Sequence, residues 1–373
     1  MSGIYFHIPF CKQACHYCDF HFSTSLKRKE DMLSAMKKEL NLRKNELTSP
    51  VKTIYFGGGT PSLLSRSEIE EIIAAVYAGF EVEEGAEVTL EANPDDLDRK
   101  KVLDLSESPI NRISLGIQSF DSGDLKFMNR AHDAQQALNS MNLVLDNFEN
   151  VSIDLIYGIP GMTDERWRQN LNRAFQFPIQ HLSSYALTVE PKTALAHFIK
   201  TGQSEAPSED SARRHFEILM EEADKNQLIH YEVSNFAKDG FWSRHNTSYW
   251  MGESYLGIGP SAHSYSGNQR SWNPSNNAKY RAALASGELA TESEDLSEVD
   301  QINEMIMTGL RTIWGLSLSR LESKFGGGHK NRVLEGANKY LEKGLLTLNG
   351  DHLIATPQGF FLVDGITADL FVE

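Results

Sequence analysis

Cysteine is scarce in this chain: three residues in 373. An odd count in a chain this long excludes the disulfide framework that holds small secreted domains together. Basic residues are also in deficit, 36 against 51 acidic, for a formal net charge of −15. That balance argues against nucleic-acid binding and for a soluble protein. No apolar run approaches the roughly 20 residues that span a bilayer. The N-terminus opens directly on a strand-like GIYFHI with no cleavable signal pattern, so a cytoplasmic location is expected and stable membrane insertion is not. Internal repeats and low-complexity tracts are absent as well, which excludes solenoids and arrays.

What cysteine there is sits in one place. Cys11, Cys15 and Cys18 fall within HIPFCKQACHYCDF. Three and then two intervening residues on a short loop can turn three thiolates toward one point. Such a set supplies three ligands to an iron–sulfur cluster whose closed form takes four, leaving one iron open to a ligand. A Cys3His zinc site completed by His7, His16 or His21 is the competing reading. Three incidental buried thiols are a third, although free cysteines rarely crowd a polar, aromatic loop.

Strand-like runs rich in β-branched and aromatic residues recur at GIYFHI, VKTIYFGG, AEVTLEAN, NRISLGIQ, VSIDLIYG and LSSYALTV, each followed by a polar loop and an amphipathic stretch. Six βα units predict an α/β fold in which a parallel sheet curls into a partial barrel with helices outside. Sites in such folds gather at the C-terminal ends of the strands. The cysteine loop, the GGGTP turn, the EANP turn, Gln118 and the YGIPG turn all follow strands, which predicts one shared mouth. Gly57, Gly58 and Gly59 let a backbone approach a ligand closely, and Pro61 stiffens the exit. Glu91, ending its strand, can meet an ammonium or a ribose hydroxyl; a solvated loop acid is the plain alternative.

The cysteine run resembles the signature of the radical S-adenosylmethionine (SAM) superfamily. With YFHIPFC, GGGTPS, EANPDD, SLGIQSF, NRAH (Asn129–His132) and DLIYGIPG, the whole chain is similar to the oxygen-independent coproporphyrinogen III oxidase-like family. The resemblance implies a partial (β/α)6 radical SAM barrel. Cys11, Cys15 and Cys18 then hold a 4Fe-4S cluster, and SAM occupies its open iron. SAM contacts carry over to Tyr5, Tyr17, Gly58, Gly59, Thr60, Glu91, Gln118, Arg130, Asp154 and Ala186. In that family some of these positions serve a second SAM. Arg130 is suited to a bidentate carboxylate pair and Asp154 to ribose hydroxyls.

Two departures from the oxidase pattern matter. Phe20 stands where the oxidases carry a fourth cysteine, and the segment that they place over their substrate has no counterpart before Tyr5. Decarboxylation of coproporphyrinogen is therefore not expected, and no catalytic residue is assigned. RHNTSYW, Arg244–Trp250, instead resembles the heme-chaperone branch of the family. The resemblance implies heme as a ligand and an acceptor protein as partner. His245 is suited to axial ligation, Tyr249 and Trp250 to stacking on the macrocycle, and Arg244 to a propionate. A satisfied structural histidine is the alternative at His245, and His263 is a second candidate ligand. Two readings stay open beside the chaperone: an oxidase that cleaves SAM with electrons from a donor, and a zinc-stabilised binding module.

The remainder changes character. TESEDLSEVD, Thr291–Asp300, reads as a linker, which divides the chain into residues 1–288 and 289–373. Three helical patterns, a hairpin turning near Asn349-Gly350 and one closing helix predict a small winged-helix-like domain. The chain's acidity and the absence of a basic recognition face favour substrate covering or partner docking over DNA.

Overall fold

The computed structural model describes residues 2–373. Six strands pair in chain order, every neighbour parallel: β1 (Ser2–Ile8), β2 (Val51–Gly58), β3 (Val82–Ala92), β4 (Arg112–Gln118), β5 (Asn150–Tyr157) and β6 (His181–Ala186). Their connections carry α1 (Lys29–Leu42), α2 (Arg66–Gly79), α3 (Arg99–Ser106), α4 (Ser122–Phe127) with α5 (Ala134–Leu145), and α6 (Asp164–Phe175). Strand residues alternate between faces. Ile4, Phe6, Ile8, Ile54, Phe56, Leu90, Leu115 and Ile153 are buried in a core shared with Met36 of α1 and Ile69, Ile72 and Val76 of α2. The intervening positions, among them Tyr5, His7, Tyr55, Glu91, Arg112 and Asp154, are polar or aromatic. This alternation is what a barrel with an apolar outer layer and a polar lumen requires.

The sheet continues past both ends of this run. After α7 (Ala194–Lys200) and α8 (Glu209–Lys225), the hairpin β7 (Ile229–Glu232) and β8 (Asn235–Ala237) adds to β6 antiparallel. The chain then crosses through α9 (Arg244–Trp250) to β9 (Ser254–Ile258), which runs parallel beside β1. β10 (His263–Tyr265), β11 (Gln269–Trp272) and, after α10 (Asn277–Ala285), β12 (Glu292–Asp295) complete a twelve-stranded sheet. A buried carboxylate fastens this extension to the barrel. Glu39 of α1 accepts from Arg43 Nη1 at 3.0 Å, Asn273 Nδ2 at 2.7 Å, Tyr280 Oη at 2.6 Å and the Gly259 amide at 2.9 Å. A charge this deep is tolerated because its acceptor sites are filled.

The expected linker is not one. Glu292–Asp295 pairs with β11 as the edge strand of the large sheet, and Ser297 with Asp300 forms a capping box that opens α11 (Glu298–Leu310). Four exposed acidic and serine side chains suit an edge strand, because charge there discourages pairing with another chain. The expected helices then follow as α12 (Leu318–Phe325) and α13 (Gly327–Glu342). β13 (Leu316–Ser317), β14 (Leu346–Asn349) and β15 (His352–Ala355) form a three-stranded sheet in the order β13-β15-β14. Gly350 turns the hairpin with φ 58°. The single closing helix is instead two, α14 (Pro357–Phe360) and α15 (Val363–Asp369). Gly359 lies so close to the Leu345 carbonyl that an added Cβ would be 2.0 Å from it, and the chain bends there, burying Phe360 and leaving Phe361 partly exposed.

Candidate functional site

At the C-terminal ends of the parallel strands lies a cavity of about 720 Å³. Cys11, Cys15, Cys18, Tyr17, Gly58, Gly59, Thr60, Glu91, Gln118, Arg130, Asp154 and Ala186 all line it, so the separate motifs converge on one mouth. Tyr5 lies deeper in the lumen, stacked on Tyr55 with ring centroids 6.0 Å apart.

The cysteine loop is held from several directions. The Cys11 amide donates to the Ser23 carbonyl at 3.1 Å, and the Ser23 amide donates to Pro9 at 2.9 Å. Gly59 lets the second turn pass beneath: a Cβ there would be 2.6 Å from the Phe10 carbonyl oxygen and 2.7 Å from that of Ile8. The NRAH turn is the other clamp. Gln13 Nε2 donates to the Asn129 carbonyl at 2.9 Å while Asn129 Nδ2 donates to that of Ala14 at 2.7 Å. Asn129 adopts φ 57°, a left-handed conformation that asparagine tolerates better than most residues. Lys12 pairs with Asp95 at 3.0 Å and also with Asp96, which ties the loop to the EANPDD turn.

Three free thiols therefore stand at one end of the cavity. Burial pushes Cys18 up to about 11 and raises Cys11, with the Thr60 hydroxyl opposing the latter shift. A metal's charge is what would bring such thiols to thiolates. Among the described residues, no three His, Cys, Asp or Glu side chains are gathered as ligands of a single ion. A four-iron cluster makes no such demand, since each thiolate takes a different iron. The histidines of the zinc reading hold the loop instead. His7 Nε2 is 2.7 Å from the His21 carbonyl oxygen, His16 Nδ1 is 2.9 Å from that of Phe127, and His21 Nε2 is 2.8 Å from Asn277 Oδ1.

Arg130 departs from the expected carboxylate fork. Its Nη2 donates to Asn93 Oδ1 at 2.6 Å and to the Gly116 carbonyl at 3.1 Å, and Nη1 lies 3.4 Å from Cys15 Sγ. It sets a fixed cation beside the thiols, positioned by Asn93 of the EANPDD turn, a role that no local pattern signals. Opposite lie two acids. Glu91 accepts from Tyr55 Oη at 2.8 Å, and burial, with Asp154 adding, pushes it up to about 7. Asp154 accepts from Ser114 at 3.2 Å and is pushed up to about 6 by burial, the Ser183 and Ser114 hydroxyls opposing. Gln118 holds φ 64°, a strained conformation for a side chain of that size at the strand end.

The far end of the cavity is largely apolar. Tyr157, Tyr185, Leu187, Phe216 and Val233 meet Phe360 and Phe361 of the C-terminal segment there. Arg311 closes the seam, ion-paired with Asp364 at 3.0 Å and lying over the Trp250 ring at 5.4 Å. No local pattern announces this wall, because its residues come from five separate stretches of chain.

The RHNTSYW segment forms α9 beneath the barrel, away from the cysteines. Glu87 accepts from the amides of Arg244 and His245, both at 3.1 Å, which anchors the helix start. His245 is 1% exposed. Its Nδ1 is 2.7 Å from Thr53 Oγ1 and its Nε2 is 2.6 Å from Tyr249 Oη. The ring stacks on Tyr55 at 4.9 Å, and burial pushes the imidazole down to about 3. Both ring nitrogens of His245, the expected axial ligand, are thus hydrogen-bonded in this structure, and Tyr249 makes one of these bonds. Trp250 packs under Arg311, and Arg244 donates to the Gly85 carbonyl at 2.9 Å.

Comparison with known proteins agrees with this architecture. The family model described as the radical SAM superfamily matches residues 5–174, and that of the HemN C-terminal domain matches residues 296–362. The heme chaperone HemW of Bacillus subtilis (strain 168) is 32% identical over 367 residues, covering 97% of each chain. That of Lactococcus lactis is 34% identical, covering 98% of this chain and 96% of its own. The coproporphyrinogen III oxidase HemN of Escherichia coli, described as a radical SAM enzyme, shares the fold with a TM-score of 0.85 at 21% identity, covering 100% of this chain and 90% of its own. With a third of its residues identical over nearly its full length to chaperones from two bacteria, and with the radical SAM barrel and C-terminal module in place, the chain belongs to the HemW family of radical SAM proteins.

Proposed function

We propose that this protein is a cytoplasmic heme chaperone that carries a 4Fe-4S cluster on Cys11, Cys15 and Cys18, binds SAM beside it, and passes heme to an acceptor protein. The observation that carries the first part is the meeting of three free thiols with a fixed cation and two buried acids in one cavity. A cluster there supplies coordination at an open iron and one-electron redox chemistry. The chain's own residues do the rest. Arg130 lies beside Cys15 and favours charge on its sulfur, Thr60 hydrogen-bonds Cys11, and the Gly58–Gly59 turn leaves backbone groups open to an amino-acid moiety. Glu91 and Asp154, held partly protonated by burial, are recharged by a cationic ligand such as SAM; Gln118, Tyr17 and Ala186 border the same volume.

The heme part rests on the chaperone relatives and on the size and aromatic lining of the cavity's far end. An external electron donor is required only if SAM is cleaved. Among the described residues, no helix is long and apolar enough to cross a membrane, and the acidic surface speaks against nucleic acid as a partner. We place the division between the two parts of the chain near Ser297 rather than at residue 289, since β12 belongs to the large sheet. Anaerobic reconstitution tests the proposal. Iron and sulfide should load with a four-iron spectrum that each Cys→Ala variant loses, and SAM should alter the electron paramagnetic resonance spectrum of the reduced cluster. A protein that takes up one zinc and refuses iron would overturn it.

A further inference from the structure

Acids outnumber cations on the wall of the large cavity, and its cations are Arg130 and Arg311. Arg130 is committed at the thiol end, where Asn93, Gly116 and Cys15 hold its two Nη nitrogens. Arg311 belongs to the apolar far end. It caps α11, and its backbone is pinned to the β7–β8 hairpin: the Val233 amide donates to its carbonyl and the Ile313 amide to that of Tyr231, both at 3.0 Å. The guanidinium lies over the Trp250 ring and reaches Asp364 through Nη2 alone, at 3.0 and 3.2 Å from the two carboxylate oxygens. Among the described residues nothing engages Nη1, and the buried Nε has no partner. Glu232, a buried acid whose charge Arg311 also stabilises, accepts instead from the Asn235 side chain and from the Ser234 amide at 3.3 Å. Asp364 is the loose half of the pair. Its side chain is 71% exposed against 25% for Arg311, and an ion pair open to water contributes little.

We propose that Arg311 receives a carboxylate of the cargo in exchange for Asp364, with the flat ring of the cargo against Phe216 and Phe361. The proposal rests on the reading of this protein as a heme chaperone and names the residue that selects and orients the ligand. Asp364 uses one nitrogen of the guanidinium, whereas a carboxylate arriving end-on takes Nη1 and Nη2 together, the paired geometry that arginine favours. No charge is stranded by the exchange: Arg311 stays paired, and Asp364 turns into solvent that already covers most of it. The ring finds an apolar wall beside this cation, where the Phe216 and Phe361 centroids lie 5.6 Å apart. Tyr185 and Phe361 are partly exposed, so the far end opens to solvent and cargo can enter without passing the thiols. A porphyrin bearing propionates offers both an aromatic face and an anion. Release is built in, since Asp364 stays within reach to reclaim Arg311 when an acceptor draws the ligand away.

The test compares ferric heme with its dimethyl ester, in Soret-band titrations of the full-length protein and of its Arg311→Gln, Arg311→Lys and Asp364→Asn variants. The unmodified chain should bind heme about 10-fold tighter than the ester, the size of a charge-assisted pair. Arg311→Gln should weaken heme by about that factor and leave the ester unchanged. Arg311→Lys should recover part of the loss. Asp364→Asn should tighten heme about 2–5-fold, the size of the exposed pair it removes, and again leave the ester unchanged. That substitution lies on the surface and acts in the opposite direction, so the proposal stays testable if Arg311→Gln folds poorly. Heme bound equally well with and without Arg311 overturns the assignment. So does an equal weakening of heme and ester in both variants, which marks a purely structural ion pair. No saturable heme on the unmodified chain sinks the chaperone reading and the proposal with it, a result distinct from either.

Discussion

Replacing Glu91 by glutamine separates its charge from its shape. The carboxylate is pushed from 4.5 up to about 7 by burial, against the donated Tyr55 hydrogen bond. Because the folded value is raised, its stabilising contribution is fully present below pH 4.5 and is lost as pH rises through about 7. At pH 8 the empty protein therefore carries an ionisation cost of about 3 kcal/mol at this residue, an upper bound because the side chain keeps some contact with solvent. A SAM cation beside Glu91 offsets that cost, so binding should release a proton near neutral pH. If the ligand restores one to two of those pKa units, wild-type affinity should rise about 10–100-fold between pH 5 and 8. The glutamine variant should bind wild-type-like at pH 5 and that much more weakly at pH 8. Asp154, at about 6, titrates lower, so the change from pH 7 upward reports mainly on Glu91. Anaerobic calorimetry of the cluster-loaded protein in two buffers of different ionisation enthalpy counts the proton directly. Equal affinities of the two proteins at pH 8, or no proton release near pH 7, would refute the role given to Glu91.

His245→Ala should act on folding rather than on heme: with two hydrogen bonds and a buried ring lost, urea denaturation should show about 3–5 kcal/mol less stability. Unchanged stability with collapsed heme affinity would return the ligand to His245. Coproporphyrinogen III incubated with the reconstituted protein, SAM and a strong reductant should remain a tetracarboxylate, since Phe20, 65% exposed beside the thiols, offers no fourth cysteine. Multiple-turnover formation of protoporphyrinogen, followed by chromatography, contradicts this.

The barrel was legible because its strands are written twice, in β-branched composition and in a period of two, and because every mouth motif directly follows one of them. What local pattern withheld was the set of partners. Asn93 stands beside Glu91 in a motif that was noticed, yet its work is to orient Arg130, a residue thirty-seven positions away in sequence. Gln13 and Asn129 look like ordinary loop polar residues until the fold brings Gln13 to the Asn129 carbonyl across 116 positions and Asn129 to that of Ala14. The Thr291–Asp300 stretch read as a linker because acidic and serine residues mark loops and charged edge strands alike, and only pairing with β11 separates the two.

His245 and His263 show the same limit from the side of chemistry. Each is an imidazole among aromatic rings, and residue type alone makes His245 the better candidate because Tyr249 and Trp250 adjoin it in sequence. On a helix, however, residues four apart share a face, and that spacing is what lets Tyr249 close on the His245 nitrogen at 2.6 Å. Thr53 takes the other nitrogen from a strand 192 residues away. His263 adjoins no tryptophan in the chain, but antiparallel register brings Trp272 directly across from it. Which imidazole nitrogens the fold has already engaged is thus a property of long-range contacts that neither motif contains.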